Sequence, residues 1–123
     1  MVKFNHMSLP VANFARSRDW YVGNFGFEIE FDQPQNRMAA IRDHADFTIF
    51  LQEPQGALAG EKCSLSLQVD DVERKYRDLT ERGVVFEKAP GRHFWGYGTE
   101  LRDPDGYLVT VWDEKSMREQ GNG

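Results

Sequence analysis

Cysteine is nearly absent from this 123-residue chain: Cys63 stands alone. A single thiol rules out an internal disulfide, and no Cys/His spacing of the zinc-binding kind occurs. Apolar residues never run to the roughly 20 needed to cross a bilayer. Basic residues are also short: 15 Lys and Arg stand against 20 Asp and Glu, a formal charge of -5, and they form no cluster. A surface that tracks nucleic-acid phosphates needs such a cluster, so neither a nucleic-acid nor a membrane partner is expected. No secretory leader opens the chain, which leads us to expect a cytoplasmic protein. Gly96-Tyr97-Gly98 is too short for a phosphate-cradling loop and follows no strand-to-helix joint. Cys63, at a strand start without a neighbouring base, reads as a passive residue.

What the chain does have is apolar and aromatic mass: 40% hydrophobic residues, with 9 Phe, 4 Tyr and 3 Trp. That is enough to bury a core, and the length fits one domain. The mildly acidic balance favours solubility and a cationic ligand.

An internal repeat organises the sequence. Asp43-His44-Ala45-Asp46-Phe47-Thr48-Ile49-Phe50-Leu51 lies without a gap on Asp103-Pro104-Asp105-Gly106-Tyr107-Leu108-Val109-Thr110-Val111, at an offset of 60. His6 to Asn13 falls on Ser64 to Asp71 at an offset of 58, and Gly26-Phe27 on Gly83-Val84 at 57. Each half opens with a strand; Leu65, Leu67 and Val69 alternate with Ser64, Ser66 and Gln68, the period of a half-buried strand. A helix follows in each half. The first is capped by Asn13, carries Phe14, Tyr21 and Phe25, and stops at Gly26; the second opens on an Asp70-x-x-Glu73 capping box, carries Val72, Tyr76 and Leu79, and stops at Gly83. Three short strands follow each helix: 28–31, 37–42 and 47–52, then 84–87, 97–102 and 107–112. The order is βαβββ, twice, an α+β arrangement. Module one spans about 1–53 and module two about 63–115, joined by a linker at 54–62 with Pro54, Gly56 and Gly60, and 121–123 reads as a frayed tail. A ferredoxin-like sandwich, with one fewer strand per repeat, is the alternative.

Over nearly its full length this pattern resembles the vicinal oxygen chelate superfamily of glyoxalases, bleomycin-resistance proteins and extradiol dioxygenases. The resemblance is carried by Arg102-Asp103-Pro104-Asp105-Gly106-Tyr107, by Gln68-Val69-Asp70-Asp71-Val72 and by Trp20-Tyr21-x-x-x-Phe25-Gly26-Phe27. It implies a U-shaped mixed sheet with helices on the outer face and a cleft inside, and a homodimer, since open strand edges need cover. In metal-binding members it also implies four inward ligand positions, which fall here on His6, Phe50, Ser64 and Thr110. Only His6 is a good ligand among them. A one-residue shift would bring in Leu51 or Val109 and swap strand faces, so it does not restore a site. Glu53, His44, Glu100 and His93 are the other donors available; His44 is expected at a turn and His93 in a loop. We therefore expect no metal and no other cofactor, with a divalent metal as the alternative.

Strand alternation sorts the two faces. Met7, Leu9, Phe47, Ile49, Leu51, Leu65, Leu67, Val69, Tyr107, Val109 and Val111 should pack under the helices. The other face would carry Phe4, His6, Ser8, Thr48, Phe50, Gln52, Ser64, Ser66, Gln68, Leu108, Thr110 and Trp112. The stretch Pro90 to Gly98 reads as a loop that folds over a ligand with Phe94, Trp95 and Tyr97; the bland reading is that Phe94 and Trp95 cap the core or a dimer contact. Glu100, opposite in phase to Leu101, would face the cleft and attract a cation. The residues expected to bind ligand are His6, Phe50, Ser64, Ser66, Trp95, Tyr97, Glu100, Thr110 and Trp112, and none is expected to be catalytic. Aromatic walls with a few hydroxyls suit the capture of a small organic molecule better than acid/base chemistry. The expected function is metal-independent binding of a small molecule, such as a drug or antibiotic. The alternative is a metal-dependent lyase, isomerase or dioxygenase of the same superfamily.

Overall fold

The structure, a computed structural model, describes residues 4–54 and 63–121. The chain divides between residues 61 and 62 into two compact units. The expected linker at 54–62 lies almost wholly outside the described residues, as do the last two residues of the expected tail.

The first unit runs β1 (His6–Pro10), α1 (Phe14–Phe25), β2 (Glu28–Gln33), β3 (Met38–Arg42) and β4 (Thr48–Gln52). Its sheet has the order β1-β4-β3-β2, with β1 parallel to β4 and the other pairs antiparallel. The second runs β5 (Ser64–Gln68), α2 (Val72–Glu81), β6 (Phe86–His93), β7 (Gly96–Arg102), β8 (Leu108–Trp112) and α3 (Glu114–Gln120), with the order β5-β8-β7-β6. Again the first and last strands of the module are parallel and the rest antiparallel. Four strands per module exclude the ferredoxin-like alternative.

The repeat extends to single hydrogen bonds. Asp43 Oδ1 accepts from the backbone of Ala45 and Phe47, and Asp103 Oδ1 from that of Asp105 and Tyr107, so one side-chain-bridged turn launches β4 and β8 alike. Asn13 caps α1 through Arg16 N, and Asp71 caps α2 through Arg74 N. A second acceptor reaches each helix start from the end of the module's last strand: Glu53 takes the N–H of Phe14 at 3.0 Å, and Asp113 that of Val72 at 2.7 Å. Asp113 also caps α3, accepting from Ser116 N and Oγ. Burial pushes the Asp113 carboxyl up, but its three donors outweigh that and hold it below the ordinary carboxylate range.

Under each helix lies a core of the alternating residues. Leu9, Ile41, Leu51 and Tyr21 are essentially inaccessible in the first unit, and Val109, Val111, Leu101, Val72 and Leu79 in the second. Met7, placed in the core from its alternation, is instead 40% exposed, because β1 is an edge strand. Several boundaries also differ from expectation. The cap of α2 is Asp71 rather than Asp70, since Asp71 has the extended backbone a cap needs. The strand expected at 84–87 runs instead from Phe86 to His93, and the expected ligand loop 90–98 is a tight hairpin turning at Phe94-Trp95. Its Pro90 sits on the edge strand β6, where a missing N–H costs no ladder bond. Helix α3 extends the second module past the boundary read at about 115.

Candidate functional site

In each sheet the residues in phase with Leu9 and Leu51, or with Val109 and Val111, are buried toward α1 or α2, and the expected residues gather on the opposite face, while α3 packs beside β7 with Met117 against Gly96. In the first unit, register places His6 beside Thr48 and Ser8 beside Phe50, with Ala40 on the far side of Phe50. The ring of His6 stacks on that of Phe50 at 4.2 Å between centroids, and Phe31 meets Phe50 edge-on at 5.4 Å. Phe31 escaped the sequence reading because a bulge after Ile29 shifts the phase of β2. At the rim, Thr48 Oγ1 donates to Glu30 at 2.7 Å.

The second unit carries more of the expected set. Ser66 pairs across the sheet with Thr110, and Thr110 with Glu100; Ser64 stands beside Leu108 and Gln68 beside Trp112. The two indoles of this face are each fixed by a hydrogen bond within it. Trp112 Nε1 donates to Ser66 Oγ at 3.1 Å, and Trp95 Nε1 donates to Glu100 Oε2 at 3.1 Å. Trp95 folds back from the hairpin turn onto its own strand: its six-membered ring lies where a side chain on Gly98 would project, 2.6 Å from Cη2 to that point. His93 stacks on the same indole at 4.8 Å and 3°, and its Nε2 bonds the carbonyl of Gly98 at 2.9 Å. His93 and Gly98 were thus missed as the supports of Trp95. Glycine on alternate strand positions, 96 and 98, was the signal for a ring lying flat on the backbone.

Tyr97 does not join this group. It has the phase of Thr99 and Leu101, so its side chain lies on the helix face, where its hydroxyl donates to Glu73 of α2 at 2.7 Å. That bond, with burial and the charge of Glu73, raises the phenol from 10.0 to about 12. Tyr97 ties α2 to β7.

A divalent ion of the kind the resemblance raises needs several oxygen, nitrogen or sulfur donors converging. Among the described residues no group of three or more His, Cys, Asp or Glu side chains is placed to share one. The individual candidates are also engaged. Glu53 is held by the Phe14 N–H and the Arg37 guanidinium, which together keep its carboxyl low. His44 lies near Glu28 on the surface, and His93 and Glu100 hold Trp95 from either side. The donor set does not fit a metal centre.

Two βαβββ modules, each with a sheet face opposite α1 or α2 rich in aromatic and hydroxyl groups, define a paired-module α+β class. A family model of the Glyoxalase/Bleomycin resistance protein/Dioxygenase superfamily matches residues 3–111, and the chain belongs to that superfamily. Its fold is close to that of a superfamily member from Sphaerobacter thermophilus, with 30% identity over 92% of this chain and 98% of that one and a TM-score of 0.74. It is similar also to TnmS3, an antibiotic binding protein from Streptomyces sp. CB03234, at 28% identity, 92% and 96% coverage and a TM-score of 0.77. A lactoylglutathione lyase from Agrobacterium tumefaciens shares the fold at 19% identity, 92% and 94% coverage and a TM-score of 0.75. No helix of the described residues is long and apolar enough to cross a membrane.

Proposed function

We propose that this chain is a metal-independent binding protein that holds a small organic molecule, a drug or antibiotic, against the face of its second sheet opposite α2. The observation that carries this reading is two indoles fixed on one face by hydrogen bonds at their nitrogens, Trp112 offering a ring for stacking and Trp95, set between Gly98 and His93, forming a wall beside it. Ser66, Thr110 and Glu100 between them are hydrogen-bonding groups that would orient a ligand, and Ser64 extends the row. His6 and Phe50 form a second, smaller aromatic shelf on the first sheet, which would contact the same class of molecule. The similarity to an antibiotic binding protein at 28% identity favours this reading. The reading includes no catalytic residue and no cofactor: His93 and Glu100, the titratable groups beside Trp95, serve to hold that indole.

The alternative, a metal-dependent lyase, isomerase or dioxygenase, has His6 as the single suitable residue of four. Replacing His6 by Ala should abolish such an activity. We also place the protein in the cytoplasm as a homodimer, because β1, β2, β5 and β6 are sheet edges within their units and exposed edges are usually covered. Light scattering on the purified chain reads the dimer.

The binding reading is tested by tryptophan-emission titration with a panel of aromatic antibiotics, bleomycin included, after chelator treatment and in a Trp20→Phe background. Saturable quenching that Trp112→Ala removes is expected. Absence of saturation with every compound, or binding that chelation abolishes, would overturn it.

A further inference from the structure

We propose that the face of the second sheet opposite α2 selects a planar aromatic cation, and that Glu100 is the residue that reads the charge; this deepens the binding reading above and rests on it. Glu100 is only 9% exposed. Its carboxylate has one partner, the neutral indole N–H of Trp95, on Oε2. Among the described residues it forms no ion pair, although two cations share its face. Arg102, two residues along β7, is committed to Glu87 at 2.9 Å and to the carbonyl of Gly106 at 3.1 Å. Lys88 stands opposite Glu100 in the ladder but makes no bridge to it.

A carboxylate withdrawn from water and left without a countercharge is unfavourable unless something compensates it. A cationic ligand would supply that compensation, and a neutral one would not. The surrounding rings point the same way. Indole faces attract cations through their electron-rich π systems, and here Trp112 offers one beside Trp95, which is itself set between Gly98 and His93. Among the described residues Trp95 stacks on His93 and no ring contact joins it to Trp112, so the two indoles are not stacked on each other. Thr110 lies directly across from Glu100, with its neighbour Ser66 tethering Trp112. A flat ring can therefore enter beside the indoles with its charge over the Glu100–Thr110 pair.

The test uses two probes with one ring system and different charge: acridine, uncharged at pH 8, and N-methylacridinium, permanently cationic. Each is titrated by calorimetry at pH 8 into the full chain and into Glu100→Gln, whose amide oxygen still accepts the Trp95 N–H. The wild type should bind the cation about tenfold or more tightly than acridine, in line with charge-assisted contacts being roughly twice as strong as neutral ones. In Glu100→Gln the two affinities should converge. Equal binding of both probes to the wild type, or a preference that survives in Glu100→Gln, overturns charge selection while leaving the binding reading in place. Binding of neither probe to the wild type overturns selection of a planar aromatic cation, while the antibiotic titration above decides the binding reading.

Discussion

Gly98 and Gly91 face each other across the β6–β7 ladder, yet a methyl group added to each should have opposite consequences. At Gly91 the nearest atom to an added Cβ is the Ala89 carbonyl oxygen at 3.8 Å, ordinary contact. At Gly98 the Cβ would collide with the Val111 carbonyl oxygen of β8 and stand 2.6 Å from Trp95 Cη2 and 3.2 Å from Cζ3. The first obstacle is backbone in a paired strand and cannot swing aside. The second can move only by releasing the indole N–H from Glu100. Overpacking costs about 1–3 kcal/mol, and a lost hydrogen bond to a charged group adds to it. Gly98→Ala should therefore destabilise by about 2–4 kcal/mol, a fall in Tm of roughly 10 °C. Gly91→Ala should lie between no change and a gain of about 1 kcal/mol, from lost freedom of the unfolded chain. Urea unfolding followed by circular dichroism measures both, and tryptophan emission at zero denaturant should shift only in Gly98→Ala. Equal stabilities for the two variants, with unchanged emission, would refute the placement of Trp95 on Gly98.

Removing Asp113 strips acceptors from the starts of both α2 and α3, so Asp113→Ala should cost about 2–4 kcal/mol, a lost cap plus an orphaned buried N–H at Val72; Asp113→Asn, which keeps an acceptor, should cost less in the same urea titration. Because folding lowers the Asp113 carboxyl, its stabilising contribution is complete above its ordinary value of 3.8 and is lost as pH falls through the lower folded value. Wild type should lose stability below about pH 4 more steeply than Asp113→Ala. Tyr97 behaves in the opposite sense. Its phenol is raised from 10.0 to about 12, so the contribution of its bond to Glu73 persists below pH 10 and disappears as pH climbs toward 12. Ultraviolet titration of wild type against Tyr97→Phe isolates that phenol, and Glu73→Gln should return it toward 10.

The fold was legible where the two halves echo each other. Asp43 and Asp103 read as equivalent turns and form the same bonds, and the alternation of β5 and β8 sorted Leu65, Val109 and Val111 from Ser66, Thr110 and Trp112. The hairpin of β6 and β7 was hidden because Pro90 and Gly91 signal a loop locally, while the cost of proline depends on whether the strand is an edge, a tertiary fact. Tyr97 opened the expected strand 97–102 in the phase of Leu101, but the overlapping reading of 90–98 as a ligand loop grouped it with Trp95 rather than with Glu73. Helix α3 has little apolar periodicity, but Asp113 followed three residues later by Ser116 was a cap in plain view. On the candidate site, alternation put Glu100 in phase with Thr110, its ladder partner, whereas the support of Trp95 by Gly98 and His93 depends on a ring folding back across its own turn. No spacing rule encodes that.

Binding on these sheet faces is proposed to need no metal. Elemental mass spectrometry of the purified chain, before and after incubation with nickel, zinc, manganese and iron and removal of free ion, tests it most directly. No ion should be retained in proportion to protein. Retention near one tight ion per chain would contradict it, showing that donors converge which the described residues do not bring together, and would move the lyase, isomerase or dioxygenase reading ahead.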